Sequence, residues 1–106
     1  MADTYKSFGT SLGTTFATTI YSGVAGTALV NSINCSNKDS IRSTNITVEM
    51  VKGSTAYSVI TGADLPMYAT LQVLDAPVVL ESGNTLRATA GNTASIDIIV
   101  SVLEIT

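Results

Sequence analysis

The chain has 106 residues, a net charge of −3 at neutral pH, 12% charged residues and 45% hydrophobic residues. That length holds one core, and a composition so low in charge excludes a disordered segment or a protein that binds nucleic acid by neutralising phosphates. The five cations, Lys6, Lys38, Arg42, Lys52 and Arg87, are scattered singly, and no apolar run approaches the roughly 20 residues needed to span a bilayer, so neither nucleic acid nor membrane is an expected partner.

Residues 1–13 read as an irregular N-terminal arm, with Tyr5, Phe8 and Leu12 as apolar anchors among polar residues, and residues 14–106 as a single β-sandwich domain. The opening stretch lacks the apolar segment of a secretory signal, so synthesis in a cytosol is expected. The N-x-S/T matches at Asn34 and Asn45 then carry no glycosylation meaning. A first strand is predicted over Thr14 to Ser22, with Phe16, Thr18 and Ile20 on one face, followed by a turn at Gly23 to Gly26. Thr27 to Cys35 reads as the second strand, Leu29, Ile33 and Cys35 sharing a face across Asn31. After a polar loop, Thr44 to Lys52 alternates Ile46, Val48 and Met50 against Thr47, Glu49 and Val51. Gly53-Ser54 marks a hairpin turn into Ala56 to Thr61, and the segment after Gly62 is predicted to cross from one sheet to the other.

Thr70 to Leu74 and Val78 to Glu81 are short strands separated by Asp75-Ala76-Pro77, where proline points to an edge or a kink. Turn signals at Gly83-Asn84-Thr85 and Gly91-Asn92-Thr93 bracket a strand over Leu86 to Ala90. The last strand, Ala94 to Ile105, places Ile96, Ile98, Val100 and Val102 on one face, and Asp97, Ile99, Ser101, Leu103 and Ile105 on the other. The first of these faces belongs over a core. The second is more apolar than a fully solvated surface: either the arm, through Tyr5 and Phe8, or another protein covers it, or its apolar residues stand singly exposed and need no cover. Period-two alternation between closely spaced turns predicts an all-β fold: an antiparallel β-sandwich, jelly-roll or Ig-like, of about eight strands with an irregular N-terminal arm.

The residues offer little to catalysis. There is no histidine, which removes imidazole acid-base chemistry and the commonest metal ligand. Asp75 with Glu81, or Asp97 with Glu104, are the available carboxylate pairs, and each reads better as a turn-capping or solvated group. The Asn37 to Ser40 loop lacks the acidic density of a calcium site. Gly9 to Gly13 and Gly23 to Gly26 lack the lysine and helix of a phosphate cradle. Cys35 has no partner for a disulfide or metal and reads as a buried small hydrophobe. No catalytic residue, cofactor or metal is expected.

Two stretches carry a resemblance. TTIYSGVAGTALVNSINCSN, Thr18 to Asn37, is similar to T-x-I-Y-x-V-P-x-G-x-x-A-x-V-x-S-I-x-x-x-N, and VLESGNTLRATAGNTASIDIIVSVLEI, Val79 to Ile105, to L-E-x-G-D-x-L followed by a turn and D-V-x-V-S-x-L-E-I. Together they resemble the small virion structural proteins of tailed phages, notably those of cyanobacteria and other aquatic bacteria. The match spans somewhat under half the chain. It departs at Gly23-Val24-Ala25, where the family often has a Val-Pro turn, and at Asn84, which replaces the usual aspartate. The resemblance implies a compact β-sandwich built into the particle. The expected function is therefore a non-enzymatic structural protein of the virion, made in the host cytoplasm, with the major capsid protein or other virion proteins, and copies of itself, as partners. A capsid decoration or cement protein is the leading position; neck, tail or fibre base is the alternative, and a carbohydrate-binding module using Tyr57 and Tyr68 is a more distant one. The expected interface residues are Tyr5, Phe8, Leu12, Ile99 and Leu103, and the arm is expected to be needed for incorporation and dispensable for folding.

Overall fold

The structure, a computed structural model, describes residues 3–12, 17–22, 26–74, 76–91 and 96–105. The expected strand start at Thr14 with Phe16, the turn residues 23–25 and 92–93, and Asp75 lie outside them. Nine strands and no helix are present among the described residues: β1 (Asp3–Leu12), β2 (Thr18–Ser22), β3 (Thr27–Asn37), β4 (Thr44–Lys52), β5 (Thr55–Leu65), β6 (Thr70–Gln72), β7 (Val78–Leu80), β8 (Thr85–Ala90) and β9 (Ile96–Ile105). All pairings are antiparallel.

The first sheet runs β1-β9-β3, with β6 and β7 sharing the far edge of β3; the second runs β2-β8-β4-β5. Between β1 and β4, and again from β5 to β9, each strand passes to the opposite sheet, apart from the adjacent β6 and β7. This winding is that of a jelly roll, which decides between the two sandwich types. The interruption between β6 and β7 contains Pro77 and falls on a sheet edge, where a residue without an amide hydrogen costs no ladder bond.

The core lies between the sheets. Val30, Ile33, Ile98 and Val100 from the first, and Ile46, Val48 and Leu86 from the second, are at most 1% exposed. The two-residue turn at Gly53-Ser54 joins β4 to β5 with Lys52 opposite Thr55, and Gly53 takes φ of 65°, a left-handed value that glycine adopts without steric cost. The chain crosses to the first sheet after β5, as expected, but β5 itself runs on to Leu65. Gly62, with φ of 60°, takes up a register shift and donates its N–H to Thr47 Oγ1 at 3.0 Å, so the strand continues beyond the bulge.

Three sequence-based expectations change. Residues Asp3–Leu12 are not an irregular arm: they form β1, paired to β9 without a break from Asp3↔Ile105 to Leu12↔Ile96. The polar residues that disguise this strand face solvent on an edge, and its full hydrogen-bond ladder supplies the order that weak hydrophobicity does not. Leu29 does not share a face with Ile33 and Cys35. A bulge at Asn31, between Val30 and Ser32, inserts a residue and inverts the phase of β3, so Ala28 and Val30 point inward before it and Ile33 and Cys35 after it. A similar shift between Thr19 and Tyr21 buries both Ile20 and Tyr21.

Cys35 is fully buried, and desolvation pushes its thiol up to about 12. The native protein is therefore expected to show no reaction with a thiol reagent such as DTNB at pH 8 within minutes, and to release one equivalent on denaturation. Fast labelling of native protein would show that β3 opens locally.

Candidate functional site

Because β1 lies beside β9 rather than over it, Tyr5 joins the outward face of the first sheet instead of covering that face. In antiparallel pairs, directly opposite residues project to the same side. Tyr5 pairs with Leu103, Leu103 with Leu29, and Leu29 with Val79, which sets four apolar side chains in one rung across β1, β9, β3 and β7. Tyr5 is 77% exposed and Val79 55%; Leu29 and Leu103 are half-buried between them. Ile105 extends the cluster along β9 in one direction, and Ile99, 50% exposed, stands four residues before Leu103 on the same face. Between them, a shallow groove of about 300 Å³ is lined by Tyr5, Lys6, Ser7, Asn31, Ser101 and Val102.

This face carries almost no charge. Serine, threonine, asparagine and glutamine fill the positions between the apolar ones, and among the described side chains the charged groups are Asp97 with Lys38 at one end and Lys6, paired with Glu104, at the groove beside Tyr5. Asp97 accepts from Ser11 Oγ at 2.7 Å and pairs with Lys38 at 3.2 Å. The outward face of the second sheet differs: it presents Thr47, Thr85 and Thr89 around a Glu49–Arg87 ion pair of 2.9 Å.

The five expected interface residues separate by face. Tyr5, Ile99 and Leu103 share the outward side. Phe8 lies on the inward side of β1, its ring 5.1 Å from that of Tyr21. Leu12 is 3% exposed and belongs to the core. Leu29 and Val79 were missed: the Asn31 bulge conceals Leu29, and Val79 sits in a Val-Val-Leu run whose phase is fixed only by its pairing with β3.

At the open edge between the sheets, Tyr21 donates its hydroxyl to Glu104 Oε2 at 2.7 Å, and Lys6 Nζ lies 2.9 Å from Glu104 Oε1. This cluster joins β2, β9 and β1 around a carboxylate that is only 4% exposed. Hydrogen bonds from Lys6 and then Tyr21 hold the Glu104 carboxyl below its usual value, whereas burial, reinforced by Glu104, pushes the Tyr21 phenol well above its own. Each member has a partner, so the cluster acts as a structural clasp. Asp97 and Glu104 lie on opposite faces of β9, which rules them out as a catalytic pair, and Glu81 is engaged by Lys52 at 2.8 Å.

A second apolar feature occupies one end of the sandwich. Ile41, Met67 and Tyr68 are exposed on two loops that buried Asn37 ties together. Its Nδ2 donates to Arg42 O and Leu65 O, its Oδ1 accepts from Asp39 N, and its own N–H donates to Ala69 O. Tyr68 takes φ of 59°, which costs a tyrosine strain that glycine would avoid. Tyr57 lies near the opposite end of β5, so Tyr57 and Tyr68 form no shared sugar-stacking platform.

These features define a jelly-roll domain with one charge-poor outward sheet. No protein-family model matches the chain, and no curated protein matches it by sequence. Among solved structures, the nucleoplasmin-like N-terminal domain of Drosophila FKBP39 is similar in fold, with a TM-score of 0.58 at 8% identity, over 96% of this chain and 92% of that one. A chain of the cyanophage Pam1 capsid asymmetric unit gives a TM-score of 0.51 at 16% identity, over 97% and 85%. A pentameric capsid protein from metagenomic phage sequences gives 0.50 at 18% identity, over 93% of this chain and 60% of that one. At these identities the likeness is one of fold.

Proposed function

We propose that the chain is a non-enzymatic structural protein of a tailed-phage virion, made in the host cytoplasm and built into the particle through protein–protein contacts. The observation that carries this reading is the outward face of the first sheet, where Tyr5, Leu103, Leu29 and Val79 form a continuous apolar rung on a surface depleted of charge, the composition of an interface centre rather than of free surface. The phage resemblance of the two sequence stretches and the jelly roll shared with two phage capsid chains support the same reading.

Within the virion, we favour a decoration or cement protein on the outside of the capsid. It would bridge shell subunits through interfaces that are individually small and collectively strong, with the major capsid protein as partner. A place at the neck, tail or fibre base needs the same sort of contact face. Quantitative mass spectrometry of purified particles separates these positions. Copies comparable with the major shell protein are expected for a decoration protein; a low count fixed by one ring would move it to the neck or tail, and absence from particles would overturn the virion reading.

A further inference from the structure

We infer that the outward face of the first sheet is occupied by a second copy of this chain. The inference deepens the structural-protein reading by naming the partner for this face, and it is tested on purified protein, away from any particle.

Among the described residues none covers this face, and β1, the segment expected to supply cover, lies beside it. That strand adds Tyr5 to the face and shields none of it. The dimensions suit a protein partner. Three strands of about ten residues at about 3.3 Å each, about 4.8 Å apart, with the three-residue strands β6 and β7 sharing a fourth row, make a face of about 570 Å² in projection. That is roughly a tenth of the chain's accessible surface of 5587 Å², the share that a standard interface takes from a small protein. Two copies meeting here would together bury about 1,100 Å², which clears the roughly 1,000 Å² that a specific interface needs.

Charge favours a copy of the same chain. Each molecule carries −3, so two copies repel unless they meet where charge is absent or already neutralised. Among its described side chains the first sheet offers such a face: serines and asparagines surround the apolar rung, and the charges that border it are paired, Asp97 with Lys38 and Lys6 with Glu104. The hydroxyl and amide groups of Ser7, Ser101, Asn31 and Asn34 can donate as well as accept, so they can bond to the same groups on an identical surface. A partner recognised through charge would find few handles here.

The test is the mass of the purified full chain by light scattering over about 1–100 μM, the range in which interfaces of this size and modest quality dissociate. An oligomer is expected. The double variant Tyr5→Lys/Val79→Lys, both sites exposed on edge strands, is expected to keep the far-ultraviolet circular dichroism spectrum and cooperative unfolding of the wild type while associating about tenfold or more weakly. Tyr57→Ser, on the second sheet, serves as the control and is expected to leave the mass unchanged. A wild type that stays monomeric throughout overturns the inference and returns this face to a shell partner, leaving the particle copy number to judge the virion reading. An oligomer whose mass the double variant does not alter overturns it too, since copies would then meet elsewhere. Should the double variant misfold, Val79→Ser with Tyr5→Ser provides the same comparison without added charge.

Discussion

Removing residues 1–12 is expected to abolish cooperative folding, not merely incorporation into an assembly. The deletion takes away the edge strand that pairs with β9 along ten residues, and so exposes the backbone of a strand whose inward face is the centre of the core. It also removes Leu12 from that core, a loss of about 2–5 kcal/mol by comparison with large-to-small substitutions. Without Lys6, the Glu104 carboxylate loses one of its two partners and the cover of the strand that bore it, at about 1–3 kcal/mol for a buried polar group left unmatched. Domains of this size have about 5–15 kcal/mol of total stability, so the combined loss consumes most or all of it. Thermal unfolding followed by circular dichroism, with dye binding to report exposed apolar surface, should show a broad transition and strong dye uptake. A sharp transition near the wild-type Tm would mean that β1 is peripheral to folding.

Glu104→Ala carries the second large effect. The substitution leaves the Tyr21 hydroxyl without its acceptor and Lys6 without its counter-ion, and is expected to cost about 2–4 kcal/mol. For a domain of about 100 residues that is a fall in Tm of about 10–20 °C. Glu104→Gln keeps an acceptor for Tyr21 and loses only the charge, so it should fall between the wild type and Glu104→Ala. A fall of no more than a degree or two in Glu104→Ala would show that the clasp contributes little.

The same cluster sets a pH window. The Glu104 carboxyl is held low in the folded chain, so its contribution is complete above the unfolded value near pH 4.3 and disappears as the pH falls through the folded value. Asp39, Asp97 and Glu81 are shifted in the same direction by their own hydrogen bonds and add to the acid limb. The Tyr21 phenol is held high, so its contribution is complete below about pH 10 and is lost as the pH rises beyond that. Tm should therefore form a plateau between about pH 5 and 9. Glu104→Gln should have a shallower acid limb than the wild type, and an unchanged acid limb would assign the pH dependence to the exposed carboxylates instead.

Much of the strand content was legible because alternation in an antiparallel sandwich is a direct image of burial. Ile96, Ile98, Val100 and Val102 fall on the core side as their spacing requires, β4 matches its predicted limits, and the Gly53-Ser54 turn forms where it was expected. The absence of histidine is a property of composition alone.

The proposed docking face was only partly legible. Ile99 and Leu103 could be read as candidates from the phase of β9, and Tyr5 as an apolar anchor of the arm, yet Phe8 and Leu12, read with Tyr5, belong to the inward side of β1, a division that follows once β1 is seen to alternate. Leu29 reaches the rung because Asn31 is an extra residue in β3, and Tyr21 reaches Glu104 because β2 shifts register beside it. A bulge is a relation between two strands and leaves little trace in either strand alone. What the sequence determined by itself is the existence of the strands after β1, the Gly53-Ser54 turn and the core face of the unbulged strands, because these depend on local alternation and backbone preference. Only the tertiary structure decided the jelly-roll order, the place of β1, and the alignment of Val79, Leu29, Leu103 and Tyr5. These depend on which strands pair and in what register, and pairing across up to a hundred residues of chain is fixed by the packing of the whole core.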